Sequence, residues 1–191
     1  MRKLVVATLL TLDGVMEAPG GEPGHPHTGW AHPFMGTDEV AHKCAEALEA
    51  GSLLLGRITY ESFAEGWSAR SGVFADKMNA MPKHVVSTTL ENPEWSPTTV
   101  IRGNVASAVT RLKSEDGGPI LVAGSRTLVH TLMEHDLVDE YRLTIFPVFV
   151  GSGRRLFPDA LRAKKATLRL ASTLAFTSGV VVNTYRPSRE G

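Results

Sequence analysis

The chain has 191 residues, a length typical of one domain, so residues 1–191 are predicted to fold as a single domain with a sizeable core. Its 20 Lys and Arg residues balance 20 Asp and Glu residues, which excludes the basic face of a general nucleic-acid binder but allows a local basic cluster for one phosphorylated ligand. A single cysteine, Cys44, excludes an intramolecular disulfide and favours a reducing compartment, so we expect a cytoplasmic protein.

Apolar runs alternate with amphipathic segments along most of the chain. The first run, at 4–12, is too short to span a bilayer and is rich in β-branched residues, so it predicts a central strand covered on both faces. The predicted elements, in chain order, are a strand at 4–12, a helix from an N-cap at Thr37 or Asp38 to Gly51, a strand at 52–55, a helix from 59 to about 64, a strand at 83–89, a helix at 105–113, a strand at 120–123, a helix from Gly124 to about 134, a strand at 140–150, and a hairpin at 165–174 and 178–186.

This order predicts an α/β fold. Alternation of strands and helices indicates a mostly parallel sheet with helices on both faces, and the C-terminal hairpin adds antiparallel strands. Ligands bind outside the carboxyl ends of the strands in such sheets. Three of these ends carry glycine, arginine or hydroxyl residues, at Gly56-Arg57-Ile58-Thr59, Ser87-Thr88-Thr89 and Gly124-Ser125-Arg126-Thr127.

The first and third of these segments each open a helix. A helix N-terminus offers free N–H groups to phosphate, glycine permits close approach of the backbone, and arginine adds a bidentate donor. Taken alone, Ser125 could be a simple N-cap and Arg57 a surface ion pair. The chain has no GxGxxG fingerprint and no P-loop, so repetition of the theme is what indicates a phosphate site.

For each of the other candidate residues, a purely structural role explains the sequence as well as a functional one does. Asp38 either caps its helix or anchors the substrate through its carboxylate. Glu39 either interacts favourably with the helix dipole in the first turn or anchors the substrate in the same way as Asp38. Phe34 and Phe63 either line a pocket for a flat ring or pack in the core. The loop at 18–33 is rich in proline, glycine and histidine but lacks ligands at metal-binding spacing, so we predict a substrate-covering loop and no metal site.

Residues 54–63 (LLGRITYESF) resemble the Gly-Arg-x-Thr-aromatic-Glu-Ser segment of the dihydrofolate reductase family. Similar matches occur at 12–16, 83–88 and 121–128. The later segments fit one branch better, the reductase domain of the bacterial bifunctional deaminase-reductase of riboflavin biosynthesis. These segments are 137–140, Pro147, 151–153 and 156–157.

The resemblance implies a dihydrofolate-reductase-like three-layer sandwich that binds NADPH. Gly56, Arg57 and Thr59 would then contact cofactor phosphates, and Ser87 and Thr88 would lie near the 2′-phosphate. The remaining expected cofactor contacts are Gly124, Ser125, Arg126 and Thr127 around the pyrophosphate and nicotinamide side, and Met16, whose loop would close over the nicotinamide.

Two positions depart from dihydrofolate reductases proper. Those enzymes carry Gly-Gly where this chain has Gly124-Ser125, and they place one acidic residue on the first helix to bind the pterin ring. Asp38 and Glu39 lie near that place, but they miss its register by one or two residues.

These features predict an NADPH-dependent reductase that transfers hydride to a small flat heterocycle. The aminouracil reductase step of riboflavin biosynthesis is one candidate and dihydrofolate reduction is another. A non-catalytic NADPH-binding protein and an interaction module without a cofactor are the alternatives from other classes. The sequence identifies no catalytic acid and no nucleic-acid or membrane partner, and the riboflavin branch suggests a homodimer.

Overall fold

The chain folds around one eight-stranded sheet, seen in a computed structural model that describes residues 1–157 and 166–188. Its elements are β1 (Leu4–Thr11), a 3₁₀ turn (His32–Phe34), α1 (Thr37–Glu49), β2 (Ser52–Gly56), α2 (Arg57–Ser68), α3 (Val73–Ala80), β3 (Lys83–Val86), β4 (Thr98–Ile101), α4 (Val105–Ser114), β5 (Ile120–Val122), α5 (Arg126–Glu134), β6 (Glu140–Phe146), β7 (Leu168–Ala175) and β8 (Val181–Pro187). None of the helices within these residues combines the length and apolarity needed to cross a bilayer.

The strand order is β4-β3-β2-β5-β1-β6-β8-β7, with β1 near the centre. Strands β1 to β6 pair in parallel, and β8 runs antiparallel to both β6 and β7. The predicted α/β class, the mostly parallel sheet and the antiparallel C-terminal hairpin are confirmed. Because the strands are parallel, β1, β2, β3, β5 and β6 all end at one side of the sheet, which we call the carboxyl edge.

Helices cover both faces of the sheet because the central strands are apolar on both sides. Leu4 and Val6 of β1 pack with residues of α4 and α5, whereas Val5 and Ala7 of the same strand pack with α1, α2 and α3. All five residues of β2 are buried. A continuous apolar run therefore forms the middle layer of three, as expected for a parallel strand covered on two sides.

Two predicted strands are shorter than their apolar runs. The strand predicted at 140–150 ends at Phe146, because Pro147 has no N–H group to continue the ladder. The strand predicted at 83–89 ends at Val86, because the Ser87 hydroxyl accepts the N–H groups of Thr89 and Leu90 and closes a turn.

Besides the short 3₁₀ turn, one α-helix and one strand were not predicted. Helix α3 has only eight residues and follows Gly72, which has a φ of +102°. Strand β4 has four residues, lies at one edge of the sheet and has no fully buried side chain. Neither segment has the length or periodicity that identifies an element from sequence alone.

The predicted N-cap of the first helix is wrong. Gly36, not Thr37 or Asp38, precedes α1, and the Glu39 carboxylate accepts the Gly36 N–H at 3.0 Å. Asp38 is exposed and makes no capping hydrogen bond. The N-cap lies before the predicted position because glycine can serve as an N-cap, and the glutamate three residues later accepts a hydrogen bond from the glycine N–H.

Lys83 is a buried cation at the start of β3, at the side of the sheet opposite the carboxyl edge. Only 1% of the residue is exposed, and its ammonium group donates to the carbonyl oxygens of Asn79 and Ser96. The same group lies 4.2 Å from the centroid of the Trp95 ring. No carboxylate of the described residues forms an ion pair with it, and burial lowers the pKa of Lys83 to about 8.

This lowered pKa predicts that alkaline pH relieves part of the cost of burying Lys83. Between pH 8 and 10.5 the unfolded chain holds a proton that the folded chain releases, so the free energy of unfolding should rise with pH. Relative to Lys83→Met, the wild type should gain roughly 3 kcal/mol across that window if the whole shift is realised. Urea unfolding at several pH values measures this difference. Lys3→Met, at an exposed site, is the control, and a pH-independent difference between wild type and Lys83→Met would contradict the assignment.

Candidate functional site

Two strand-to-helix turns touch at the carboxyl edge because β2 and β5 are neighbours in the sheet. A Cβ atom added at Gly56 would lie 2.2 Å from Ser125 Oγ, and one added at Gly124 would lie 3.3 Å from Thr59 Oγ1. Gly124 has a φ of +123°, and the peptide bond that joins it to Ser125 is cis. The structure therefore brings Gly56, Thr59, Gly124 and Ser125 together into one surface.

The helices that start at these turns have open N-termini. Gly56 precedes α2 and Ser125 precedes α5, and neither helix end receives a side-chain capping bond. In contrast, Asn104 Oδ1 caps α4 through the Ser107 N–H at 2.9 Å. The first N–H groups of α2 and α5 have no partner within their own helices, so they are available to a bound anion.

The two arginines at these helix starts differ in how their charge is balanced. Arg57 donates from Nη1 to both carboxylate oxygens of Glu61, at 2.9 and 3.0 Å, in a partly exposed pair. Arg126 forms no ion pair with the described residues, and its Nε is buried without a hydrogen-bond partner among them. A buried donor of this kind is costly unless it is satisfied, and a phosphate oxygen would satisfy it. Thr127, next along α5, is exposed.

A third turn lies beside them, after β3. Ser87 is buried and its hydroxyl organises the turn, while Thr88 and Thr89 are exposed. The Arg102 guanidinium donates to the carbonyl oxygens of Thr88, at 3.1 Å, and Leu90. Arg102 follows β4, a strand that was not predicted, so its position next to the Ser87 turn could not be found from the sequence.

A pocket of about 500 Å³ opens at the start of α1. Phe34, Asp38 and Glu39 line it together with Thr177 and Ser178 of the turn between β7 and β8. Glu39 is 6% exposed, and its carboxylate accepts hydrogen bonds from the Gly36 N–H and the Ser178 hydroxyl. The bond from Ser178 lowers the pKa of Glu39, so this group is ionised at neutral pH.

Phe63 does not line the pocket. It lies on α2 and packs against the buried cluster formed with α1 and α3. Phe34, in contrast, lies 6.0 Å from Phe146 at the end of β6, and Phe146 also contacts Trp30 at 5.3 Å between ring centroids. Of the four predicted substrate residues, the structure brings three to one opening. Ser178 was not predicted, because a serine in a hairpin turn carries no signal of its long-range partner.

The Met16 loop is tied to the segment that follows β6. The Met16 N–H donates to the Arg154 carbonyl at 2.9 Å, and the Asp13 carboxylate accepts the Gly151 N–H at 2.9 Å. The Thr11 hydroxyl also donates to Asp13 and lowers the pKa of that carboxyl group. Met16 itself is half-buried and packs against the core on the α4–α5 face.

The basic and histidine-rich loops have structural partners. Arg154 pairs with Glu17 and Arg155 pairs with Asp13, so both arginines help to hold the Met16 loop. His25 is buried and its Nε2 lies 3.1 Å from the Ser152 carbonyl oxygen. Within residues 1–157 and 166–188, no three His, Cys, Asp or Glu side chains lie close enough to bind a metal ion.

The turns after β2 and β5 and the pocket all lie at the carboxyl edge of the sheet. Strands β5 and β1 separate β2 from β6, so at the usual strand spacing β6 is about 14 Å from β2 and about 10 Å from β5.

Comparisons with known proteins identify a family model and two relatives that match nearly the whole chain. The family model of the RibD C-terminal domain matches residues 2–182. Two uncharacterized proteins of Bacillus subtilis (strain 168) are similar over nearly their whole length. YyaP is 28% identical over 191 residues, which cover 96% of this chain and 94% of YyaP. YwjB is 28% identical over 185 residues, which cover 97% of this chain and 98% of YwjB.

Two solved structures share the fold. One is a candidate riboflavin biosynthesis protein from Shewanella sp. PV-4, with a TM-score of 0.77 at 20% identity and coverage of 98% of this chain and 99% of that chain. The other is a pyrimidine reductase-like protein from Corynebacterium diphtheriae, with a TM-score of 0.69 at 11% identity and coverage of 99% and 93%. The dihydrofolate-reductase-like fold is confirmed, and the chain belongs to the RibD C-terminal domain family.

Proposed function

We propose that this protein is a cytoplasmic, NADPH-dependent reductase that transfers hydride to a small flat heterocycle. The observation that carries the proposal is the contact of two open helix starts at Gly56 and Ser125, beside Arg126, whose Nε has no partner in the described part of the chain. Membership of the RibD C-terminal domain family and the fold of a pyrimidine reductase-like neighbour support a reductase.

The cofactor phosphates fit the residues at the carboxyl edge. The N–H groups at the starts of α2 and α5 would bind the pyrophosphate, with Thr59, Ser125 and Arg126 beside them. Ser87 and Thr88 would bind the 2′-phosphate, and the Arg102 guanidinium adds a positive charge next to that turn. Bound NADPH supplies the hydride, and the protein orients the two reactants and excludes water.

The substrate would occupy the pocket that ends at Glu39. An ionised carboxylate binds adjacent N–H donors of a heterocycle through charge-assisted hydrogen bonds, and the Phe34 ring offers an apolar face. An aminouracil with these donors suits the pocket and agrees with the pyrimidine reductase-like neighbour. Dihydrofolate is the second candidate, because Glu39 lies on the first helix and points into the pocket.

Nucleotide titration tests the cofactor. We expect the wild type to bind NADPH more tightly than NADH. Arg126→Gln should weaken NADPH binding by about tenfold or more, since a hydrogen bond to a charged group contributes roughly 1.5–3 kcal/mol. Arg57→Ala should weaken it less, because Glu61 already balances the Arg57 charge. Arg111→Gln on α4 is the control, and failure of the wild type to bind either nucleotide would exclude the reductase.

Turnover is then followed by NADPH oxidation with a ribosylaminouracil phosphate and, separately, with dihydrofolate. Oxidation with the first compound supports the aminouracil reductase, and oxidation with the second supports folate reduction. Tight NADPH binding with no oxidation in either assay would favour a non-catalytic binding protein.

Gly56 offers a second, structural test of the cofactor site. Gly56→Ala would place a Cβ 2.2 Å from Ser125 Oγ, so Ser125 must move out of its position at the start of α5 and NADPH binding should fall by about tenfold or more. Gly66→Ala, within α2, is the control. Its new Cβ would have no atom within 4 Å, so this variant should bind NADPH as the wild type does. Equal affinities for the two variants would show that the contact between the turns does not shape the site.

We also propose a homodimer that pairs through β7. This edge strand is exposed on both faces, with Leu170 51% and Leu174 44% exposed, and such a strand is a template for association. Light scattering after size exclusion should give twice the chain mass, and Leu174→Lys should shift it toward the monomer. A wild type that is monomeric at micromolar concentration would rule the dimer out.

A further inference from the structure

Polar side chains occupy the interface between α1 and β6, where the fold would otherwise place apolar ones. Glu39, His42 and Glu46 share one face of α1 at the spacing i, i+3 and i+7. Arg142 and Thr144 are two residues apart on β6, so their side chains point to the same side of the sheet. We call these five residues the polar column.

Contacts at the two ends set the alignment of the column. At one end Arg142 Nη1 lies 3.6 Å from the Glu46 carboxylate. At the other end Phe34, just before α1, lies 6.0 Å from Phe146. Thr144 is midway between Arg142 and Phe146 on the strand, and His42 is midway between Glu46 and Glu39 on the helix. His42 and Thr144 therefore each lie in the middle of their own element, between the contacts at the two ends.

Three atoms of the column are buried without a hydrogen-bond partner among the described residues. They are His42 Nε2, Glu46 Oε1 and Thr144 Oγ1. Thr144 is 3% and Glu46 is 6% exposed, so neither side chain reaches bulk solvent. Buried polar atoms that lack a protein partner normally bind ordered water.

The column joins the candidate substrate pocket to the protein surface. Its upper end is Glu39, which lines the pocket and binds Ser178, and the ring of His42 packs edge-to-face on Phe176 of the same turn, at 5.8 Å. Its lower end is Arg142, whose Nη1 lies 3.3 Å from the exposed carboxylate of Glu49.

A reduction in this pocket consumes a proton as well as a hydride. When hydride forms the new C–H bond, the electron pair of the C=N or C=O bond moves to nitrogen or oxygen, and that atom must take a proton. Glu39 cannot supply it at neutral pH, because the hydrogen bond from Ser178 keeps the pKa of Glu39 below its usual value. Another group must bring the proton.

We propose that His42 and Thr144 bind internal water through which protons pass from solvent to the Glu39 pocket, with His42 as the positioning residue. This inference rests on the proposed reductase, since the reduction is what consumes the proton. A water beside Glu39 gives its proton to the substrate nitrogen or oxygen, His42 replaces that proton through the internal water, and solvent restores His42.

The charges that face His42 allow this exchange. Lys43, Glu46 and Glu49 act on it from α1, and Arg142 acts from β6, while the turn with Phe176 adds no charge. Burial is the largest effect and lowers the pKa of His42, so the imidazole is neutral at neutral pH. A neutral imidazole can accept a proton on one nitrogen and release one from the other.

Thr144→Val tests the water without requiring turnover. Valine has the shape of threonine without the hydroxyl. If Thr144 Oγ1 holds internal water, the Tm should stay the same or fall, and a high-resolution crystal structure should show water within hydrogen-bond distance of His42 Nε2 in the wild type only.

If the site is dry, removal of an unsatisfied hydroxyl should raise the Tm by about 2 °C or more. That rise, or the absence of water density in the wild type, would overturn the proposal. Thr11→Val calibrates the measurement, because the Thr11 hydroxyl is hydrogen-bonded to Asp13 and its loss should lower the Tm.

His42→Gln tests the passage of protons. With NADPH and the ribosylaminouracil phosphate, its single-turnover rate should fall about tenfold below that of the wild type above pH 7, where protons are scarce, with the NADPH Kd unchanged. His135→Gln, at an exposed position after α5, should keep the wild-type pH profile. A wild-type profile in His42→Gln would overturn the proposal. A wild type without turnover would count against the proposed function itself, and the water site would then be judged by Thr144→Val alone.

Discussion

The close approach of the turns after β2 and β5 is the constraint on which the carboxyl edge depends. Gly56 meets Ser125 so tightly that no side chain fits between them, and Gly124 adopts a positive φ where it passes Thr59. This contact points the starts of α2 and α5 at the same volume. Two half-charges of helix dipoles and their free N–H groups then act on one ligand, which a single helix start could not do.

The middle of the sheet sets the distance between the two halves of the site. Strand β1 lies between β5, which ends at the second turn, and β6, which ends beside the pocket, and the buried apolar residues of β1 maintain this spacing. The loop that follows β1 is bound to the segment after β6 through Asp13 and Met16. The loop that carries Met16 is therefore held by several hydrogen bonds to the segment after β6.

The α1 side of the sheet is built differently from the α4–α5 side. Between α1 and β6 the fold buries Glu46, Thr144 and half of His42, although apolar residues at these positions would avoid the cost of desolvation. This polar interface borders the candidate pocket, which Glu39 lines.

The local sequence determined those elements that are marked by a short apolar run or by a characteristic group of residues within a few positions. The apolar run that forms β1, the glycine-opened starts of α2 and α5, and the segment around Arg57 could be assigned because each is complete within about ten residues. Tertiary structure decided the rest. Glu39 faces the pocket and Phe63 does not, because Gly36 caps α1 and sets its rotation, and because α2 turns Phe63 into the core. Arg102 and Ser178 meet their partners across separations that no local pattern records, since the order of strands in the sheet brings them there.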